Sequence, residues 1–400
     1  MPGDSSKKSS RREFLKGRSA ARLLADAATA PRPAAEPLPP VKTRSLLVHV
    51  GREAMACEFE VVLNAGQHPQ GTDVAVEALD LVDRLEAQLT VYRDTSEVSR
   101  LNQRAAEEAV AVEERLFDLL RQAQALSEET GGAFDITSGP LTKVWGFYRR
   151  QGKMPSPADV DAALAKVGSR WLTLDNAERT LRFGQPGMEI NLGAIGKGYA
   201  IDRAAGLLLT AGVSDFMIHG GNSSVLASGS RQLDVTATKS SADAASNENQ
   251  PIAEPAEAQP ATEPLSEAKT ETGWTVALRH PLRPDQRLAE FRLIDQALGT
   301  SGSGTQYFHH QGKRYGHILD PRTGWPADKV LSSTVIAPTA AEADALSTAL
   351  YVLGLEPARE FCAKHPEISA LLTTHSSRAG AIELHPLNLP DDAWCQLDAK

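Results

Sequence analysis

The sequence predicts an α+β protein in which one folded unit carries most of the chain. Segments with a helical period and segments with a strand pattern alternate irregularly, which favours α+β over a doubly wound parallel sheet. Hydrophobic residues make up 41% and charged residues 23% of the 400 residues, as is ordinary for a soluble globular chain. Two segments of biased composition, residues 1–40 and 237–272, are excluded from that unit.

Composition also excludes several classes of protein. No run approaches the roughly 18–20 apolar residues of a spanning helix, which argues against a polytopic membrane protein. The three cysteines (Cys57, Cys362 and Cys395) are too few for a disulfide scaffold and lack the spacing of a zinc site. A net charge of −9 argues against a nucleic-acid partner recognised through overall charge.

The first 40 residues hold eight Lys/Arg against four Asp/Glu and end in a proline-rich stretch. The run Ser-Arg-Arg-Glu-Phe-Leu-Lys at residues 10–16 resembles a twin-arginine export signal. Arg18, Arg22 and Asp26 interrupt the apolar region that should follow it. Two interpretations stay open: an export signal, giving a periplasmic or membrane-associated protein, or a disordered basic tail on a cytoplasmic one.

Residues 237–272 contain no aromatic residue, four prolines, seven acidic residues and two lysines. Such a segment cannot bury enough apolar surface to offset its ordering entropy. Strand patterns at 232–236 and 274–278 flank it, so we expect a disordered insertion between two strands within a unit spanning residues 41–390. A passive loop and an acidic docking tail are both compatible with this composition.

The remaining elements follow from periodicity and from end signals. Val74, Leu79, Val82 and Leu85 recur near a period of 3.6, and Gly131-Gly132 ends a later helix as a C-cap pair. The predicted helices span residues 74–89, 116–130, 157–167, 198–211, 341–354 and 356–364. The predicted strands lie within 48–63 and at 171–174, 180–183, 216–219, 232–236, 274–278, 289–293, 315–319, 331–337, 368–373 and 380–384.

Two glycine-rich segments offer backbone amides to a ligand. In residues 131–140, Ala133, Phe134 and Asp135 could present amides and one carboxylate, although a plain C-cap and turn is the alternative. Residues 191–200 run from a strand into a helix, where free N–H groups favour an anion beside Lys197. Asn191 and Gly198 replace the first glycine and the hydroxyl residue of a P-loop, which argues against a Walker site.

Two further turns carry polar residues beside predicted strands, His219-Gly-Gly-Asn222 and residues 317–324. In the second turn, His317 and Asp320 converge with Arg322. A tight turn and a ligand contact are both compatible with the first segment. As metal ligands the histidines near the second turn have no recognised spacing.

Asp344, Ser347 and Thr348 are spaced by three and four residues, which places three oxygen-bearing side chains on one face of a predicted helix. Hard oxygen ligands suit Mg²⁺, which commonly bridges substrate phosphates. The alternative is that Asp344 is solvated and Thr348 bonds back to a helix carbonyl. Because the flanking residues are Ala and Leu, the helix should be largely buried and the carboxylate should need a partner.

Taken in order, these blocks resemble the ApbE flavin-transferase family, the FAD:protein FMN transferases. The resemblance runs from about Ala54 to His375 outside the acidic insertion. It rests on Met55, Tyr92, Ser96, Leu101-Asn102, Gly131-Gly-Ala-Phe-Asp135, Gly139-Pro140, Trp145-Gly-Phe147, Asn191-Leu-Gly-Ala-Ile-Gly-Lys-Gly-Tyr-Ala200, Asp202, Gly220-Gly221, Thr300-Ser-Gly302, His317-Ile-Leu-Asp-Pro-Arg-Thr-Gly324 and Ala343-Asp-Ala-Leu-Ser-Thr348.

The resemblance implies an ApbE-like, T-fold-related α+β fold of mixed sheets and packed helices. It also implies Mg²⁺-dependent transfer of FMN from FAD to a Ser/Thr hydroxyl of an acceptor flavoprotein, with release of AMP. The implied partners are FAD and an acceptor subunit of a membrane redox complex or another flavoprotein, with peripheral membrane contact and no nucleic acid.

Site residues follow from the same resemblance. The implied FAD-binding residues are Met55, Tyr92, Ala133, Phe134, Asp135, Asn191, Lys197 and Ile318. The implied magnesium ligands are Ala194 through its carbonyl, Asp344, Ser347 and Thr348. We add His317 as the candidate general base, with Asp320 orienting it, and Lys197 or Arg322 to stabilise phosphoryl oxygens.

The chain departs from the family pattern at three points. Asn191 stands where the family commonly has Asp, Ala56-Cys57 where it has Gly-Thr, and Asn222 where an acidic residue is frequent. Loss of charge at Asn191 can change FAD affinity while leaving the metal ligands intact. Two other functions therefore remain open: a Mg²⁺-dependent FAD pyrophosphatase giving FMN and AMP, and a flavin-binding protein without turnover.

Overall fold

The computed structural model describes residues 46–149, 151–231, 273–302, 304, 306–378 and 380–397, all of which belong to one compact unit. The predicted leader, the strand predicted at 232–236 and the insertion at 237–272 lie outside these residues. Their assignment stays a prediction.

Sixteen strands of the described chain form four sheets. They are β1 (Leu47–Ala54), β2 (Cys57–Asn64), β3 (Val110–Ala111), β4 (Leu172–Asp175), β5 (Thr180–Phe183), β6 (Phe216–Gly220), β7 (Ser224–Ser228), β8 (Trp274–His280), β9 (Arg283–Leu293), β10 (Gln296–Gly302), β11 (Tyr307–His310), β12 (Lys313–Gly316), β13 (Ser332–Ala337), β14 (Ser369–His375), β15 (Ile382–Leu387) and β16 (Trp394–Gln396).

The largest sheet has eight strands in the order β1-β2-β6-β7-β10-β13-β14-β15. All of its neighbouring strands are antiparallel. Three small sheets have the orders β11-β12, β16-β9-β8 and β3-β5-β4. Antiparallel pairing with helices between strands confirms the predicted α+β class.

Eight α-helices accompany these strands in the described residues. They are α1 (Gly71–Leu89), α2 (Glu97–Arg104), α3 (Glu114–Glu129), α4 (Gly139–Val144), α5 (Pro157–Leu164), α6 (Gly196–Thr210), α7 (Ala340–Leu353) and α8 (Leu355–Lys364). None of the described helices is both long and apolar enough to cross a bilayer.

Both faces of the large sheet are covered. Successive strand residues point to opposite faces; thus Val61 packs in the core that includes α1, α6 and α7, whereas Val62 packs in a second core with the β16-β9-β8 sheet. Every residue of β13 is buried for the same reason. Its second half, Val335 to Ala337, is apolar throughout, and the hydroxyls of Ser332 and Thr334 in its first half pair with those of Thr373 and Thr300 on the neighbouring strands.

The helix α7, which carries the predicted oxygen ligands, has well-defined ends. The hydroxyl of Thr339 caps its first turn by accepting from the backbone N–H of Glu342, and Gly354 ends it with a φ of 82°. From α6, the carboxylate of Asp202 accepts from the N–H groups of Ala340 and Ala341. The first turn of α7 is therefore fixed to α6.

The segment predicted as strand-like over 48–63 is a hairpin of two strands. Ala54 pairs with Cys57 across a two-residue turn, in which Met55 and Ala56 have φ values of 50° and 60°. Two positive φ values are typical of a type I′ turn, which usually contains Asn or Gly. The sequence prediction missed the turn because neither residue is a turn former.

Candidate active site

A cleft of about 560 Å³ opens beside the large sheet. Its walls come from the β1–β2 turn, the end of α1, the segment after α3, the start of α6, β10, the segment after β12 and α7. The cleft is lined by Met55, Tyr92, Ala133, Phe134, Asp135, Asn191, Ala194, Lys197, His317, Ile318, Asp344, Ser347 and Thr348 among others. All predicted site residues except Asp320 and Arg322 therefore meet in one cavity.

Asp320 does not orient His317, contrary to the sequence-based expectation. Its carboxylate accepts from Arg322 in a bidentate pair, with Nε at 2.9 Å and Nη2 at 2.8 Å. Neither Asp320 nor Arg322 lines the cleft, whereas Pro321 between them does. The pair stabilises the turn that follows His317, and Lys197 remains as the cationic side chain proposed to meet phosphoryl oxygens.

His317 is oriented by the backbone instead. Its Nδ1 lies 3.1 Å from the carbonyl oxygen of Gln306, which can only accept, so Nδ1 carries the proton and Nε2 keeps its lone pair. Burial lowers the pKa of His317, with the charge of Lys197 acting in the same direction. The imidazole is thus neutral at pH 7 with one basic nitrogen, the form that a general base requires.

The hairpin formed by β11 and β12 places this imidazole. Gln306 precedes β11 and His317 follows β12, and the backbone N–H of His317 also donates to the carbonyl of Gln306 at 3.1 Å. Gln306, His317 and Ile318 all line the cleft. Pairing of the two strands therefore fixes the distance between the histidine and its partner.

Asp344, on α7, also lines the cleft and is 5% exposed. Its Oδ1 accepts from the hydroxyl of Ser224 at 2.6 Å, and its Oδ2 accepts from the backbone N–H of Gly198 at 2.8 Å. The Nζ of Lys197 is 3.6 Å from Oδ2. The buried carboxylate is thus satisfied by neutral donors and one cation, as the burial of a charge requires.

Two glycines allow this close approach. A Cβ on Gly198 would lie 2.0 Å from the carbonyl oxygen of Ala340, and one on Gly299 would lie 2.4 Å from that of Ala343. Helix α7 therefore contacts the start of α6 and the backbone of β10 directly. A side chain at either position would move Asp344 away from the amide of Gly198.

Ser347 and Thr348 lie one turn beyond Asp344. Both hydroxyls donate to the carbonyl oxygen of Asp344, at 2.9 and 3.2 Å, so the back-bonding expected of Thr348 as an alternative is present. The hydroxyl of Ser301 on β10 lies 2.9 Å from Ser347 Oγ and 3.1 Å from Thr348 Oγ1. A cluster of three hydroxyls thus adjoins the carboxylate in the cleft.

The donor set fits a hard divalent cation. The described residues contain no group of three or more His, Cys, Asp or Glu side chains able to hold a metal ion. Around the start of α7 the cleft instead offers the carboxylate of Asp344, the hydroxyl oxygens of Ser347 and Thr348, and the segment of Ala194. Mg²⁺ commonly binds through one or two carboxylates and completes its shell with water and substrate phosphates.

The turn after α3 uses its polar groups internally. The carboxylate of Asp135 accepts from the N–H and hydroxyl of Thr137 and of Ser169. The N–H groups of Ala133 and Phe134 donate to Thr130. The expectation that these two amides and the Asp135 carboxylate stand free for a ligand is therefore wrong, and the turn lines the cleft as a preformed wall.

Asn191 is held in a tight local turn at the rim. Its Oδ1 accepts from the N–H of Gly193 at 2.9 Å, and the neighbouring Ile190 exchanges two hydrogen bonds with the side chain of Asn102. Tyr92, which is 63% exposed, packs against Tyr148 with ring centroids 4.8 Å apart. These contacts form the outer part of the cleft.

The sequence patterns assigned no role to several residues in or directly behind the cleft wall. Ser301 belongs to the block Thr300-Ser-Gly302 on which the family resemblance rests. Only the folded structure shows that its hydroxyl contacts Ser347 and Thr348. Ser224 and Gln306 carry no local motif at all. Both act on residues distant in sequence, which no spacing argument can detect.

Comparison with known proteins places the chain in a family. Residues 55–249 and 264–372 match the ApbE family profile. The chain is 31% identical over 304 residues to the FAD:protein FMN transferase of Klebsiella pneumoniae (strain 342), covering 75% of this chain and 82% of that protein. It is 32% identical over 290 residues to that of Escherichia coli (strain K12), covering 70% of each.

The chain belongs to the ApbE family. The crystal structure of the ApbE protein from Thermotoga maritima superimposes with a TM-score of 0.68 at 27% identity, covering 84% of this chain and 96% of that one. The flavin transferase ApbE from Vibrio cholerae, at 24% identity and a TM-score of 0.67, shares the fold. The family and the ApbE-like fold predicted from the motifs are both confirmed.

Proposed function

We propose that this chain transfers the FMN part of FAD to a serine or threonine hydroxyl of an acceptor flavoprotein, with release of AMP and dependence on Mg²⁺. Membership of the ApbE family makes the chain an enzyme, a transferase. The observation that carries the proposal is the convergence of a neutral, oriented histidine, a lysine and an oxygen-rich carboxylate cluster in one cleft.

The cleft's residues divide the work of phosphoryl transfer. Lys197, in the first turn of α6, binds phosphate oxygens, and the positive end of the helix dipole favours the same charge. Mg²⁺ held by Asp344, Ser347, Thr348 and the carbonyl of Ala194 would supply charge neutralisation at the pyrophosphate. Met55, Tyr92, Phe134 and Ile318 form apolar walls for the flavin and adenine parts.

The reaction exchanges one phosphorus–oxygen bond for another. The acceptor hydroxyl oxygen forms a bond to the FMN-side phosphorus, and the bond from that phosphorus to the bridging oxygen breaks. The hydroxyl proton passes to Nε2 of His317, and AMP leaves with the bridging oxygen. Since the imidazole is neutral beforehand, its Nε2 accepts this proton without a prior deprotonation.

A denaturing gel separates this proposal from its rivals. Purified protein is incubated with FAD, MgCl₂ and a recombinant flavoprotein carrying a surface serine or threonine acceptor, with an alanine variant of that acceptor as the control. Transfer predicts fluorescence that stays on the intact acceptor and is absent from its alanine variant. Free FMN with no labelled acceptor would indicate a pyrophosphatase, and FAD binding without AMP would indicate a flavin carrier.

A further inference from the structure

Ser224 occupies a buried position between the lysine and the carboxylate of the cleft. It begins β7, is fully buried, and pairs with Gly220 on one side and Gly299 on the other. Because Gly299 admits α7 to the sheet, the hydroxyl of Ser224 comes within 2.6 Å of Asp344 Oδ1. No motif of the sequence assigned it a role.

The direction of its hydrogen bonds is fixed by chemistry. The ammonium of Lys197 can only donate, so the 3.0 Å contact between its Nζ and Ser224 Oγ uses Ser224 as the acceptor. The hydroxyl proton of Ser224 then points to Asp344 Oδ1. A chain of two hydrogen bonds thus runs from Lys197 through Ser224 to Asp344.

These two hydrogen bonds hold the ion pair between Lys197 and Asp344 at a long separation. Lys197 Nζ lies 3.6 Å from Asp344 Oδ2, which is within ion-pair range but beyond the 2.7–2.9 Å of a charge-assisted hydrogen bond. If the hydroxyl were absent, Lys197 would lack its acceptor and Asp344 a donor, and a direct contact would satisfy both. Such a contact would tighten the ion pair and occupy an oxygen of the carboxylate that the proposed magnesium site requires.

We infer that Ser224 is a positioning residue that acts as a spacer: it holds Lys197 away from Asp344, so that the carboxylate stays available to a divalent cation and the ammonium to phosphate. The inference rests on the proposed function for the identity of the cation. It concerns neither substrate contact nor proton transfer.

Binding of Mn²⁺, measured by electron paramagnetic resonance in the presence of FAD, tests this role on the full chain. Ser224→Ala should weaken Mn²⁺ binding about tenfold or more, as loss of an outer partner of a metal ligand commonly does. In a protein that already carries Lys197→Met, Ser224→Ala should leave Mn²⁺ affinity unchanged, because no ammonium remains to compete for Asp344. Asp344→Ala gives the baseline for cations bound outside the site.

Several results would overturn the inference. One is equal Mn²⁺ affinity for Ser224→Ala and wild type while Asp344→Ala loses the cation. Another is an equal loss from Ser224→Ala in both backgrounds, which would mean that Ser224 only orients the carboxylate. If Ser224→Ala does not fold, Ser224→Cys, whose thiol is a weak acceptor, is measured in its place.

A crystal structure of cation-free Ser224→Ala separates failure of the spacer from failure of the proposed function. The spacer predicts that Lys197 Nζ moves into direct contact with Asp344. If Lys197 Nζ stays as far from Asp344 as in the wild type, the spacer role is contradicted, whatever the affinity for the cation. If instead wild type and Asp344→Ala bind Mn²⁺ equally while the direct contact forms in the variant, the spacer stands and the magnesium assignment falls.

Discussion

His317 and Asp320 lie three residues apart, but only His317 lines the cleft. The histidine donates to a backbone carbonyl and faces the cleft, whereas the aspartate is neutralised by Arg322 outside it. A buried imidazole whose partner is neutral keeps a low pKa, because no carboxylate stabilises its charged form. The proposed transfer reaction therefore requires His317 to be neutral before it accepts the hydroxyl proton.

The pH profile of FMN transfer tests that dependence. Because burial lowers the pKa of His317 below its ordinary 6.5, the base is mostly unprotonated at pH 7 and above. We expect kcat to be flat from about pH 7 to 8 and to fall at lower pH. His317→Ala should reduce kcat roughly 10²- to 10⁴-fold and abolish this acidic limb. The same limb in the alanine variant would assign it to another group.

Ala56 has a strained backbone conformation in the turn that joins β1 to β2. It occupies a positive φ of 60° in the β1–β2 turn, at a position where the family commonly has glycine. A left-handed conformation costs a non-glycine residue about 1–2 kcal/mol. Its neighbour Cys57 is half-buried, and burial raises the pKa of its thiol.

Ala56→Gly should therefore raise the free energy of unfolding by up to about 1 kcal/mol, since the strain relieved exceeds the added entropy of the unfolded chain. Ala111→Gly, on the exposed strand β3 without a positive φ, is the matched control and should lower it by about 0.5–1 kcal/mol. Denaturant unfolding of both variants gives the comparison. Equal losses would show that the turn is not strained.

Two of the three glycines of α6, Gly198 and Gly206, should respond to substitution in opposite ways. A Cβ on Gly198 would meet Ala340 at 2.0 Å, whereas one on Gly206 has nothing within 4 Å. Gly198→Ala should cost about 1–3 kcal/mol of stability by overpacking and also weaken FAD turnover through Asp344. Gly206→Ala should gain about 0.5–1 kcal/mol by helix propensity. Thermal unfolding and activity of the two variants are compared; a stable, active Gly198→Ala would refute the close-packing argument.

Sequence reasoning succeeded where a signal is local. Strand β5 spans the predicted 180–183, Gly131 and Gly132 have the positive φ values expected of a C-cap, and the helical spacing of Asp344, Ser347 and Thr348 places all three in the cleft. It failed for β7, β10 and α2. The small and polar residues that dominate β7 and β10 carry little periodicity, and packing across the sheet decides their structure. Helix α2 is amphipathic but only eight residues long, and its pattern was missed.

For the whole molecule, the segment at 237–272 remains a sequence-based proposal. The described chain on either side of it comes together, since the indole of Trp274 donates to the carbonyl of Ser228 at 3.0 Å. A short linker can therefore close the gap at small entropic cost.

Deletion of residues 237–272 tests whether the insertion is passive. We expect the shortened protein to match the wild type in stability, in KM for FAD and in FMN transfer rate. An increased KM for the acceptor, with FAD binding unchanged, would identify the segment as an acidic docking tail instead.

The ratio of released AMP to covalently bound flavin decides whether this protein is an FMN transferase. Wild-type protein, FAD, MgCl₂ and acceptor are incubated, AMP and free FMN are quantified by chromatography, and the acceptor is weighed by intact-mass spectrometry. FMN transfer predicts one AMP released for each FMN added to the acceptor, with negligible free FMN. AMP matched by free FMN, or no AMP at all, would contradict it.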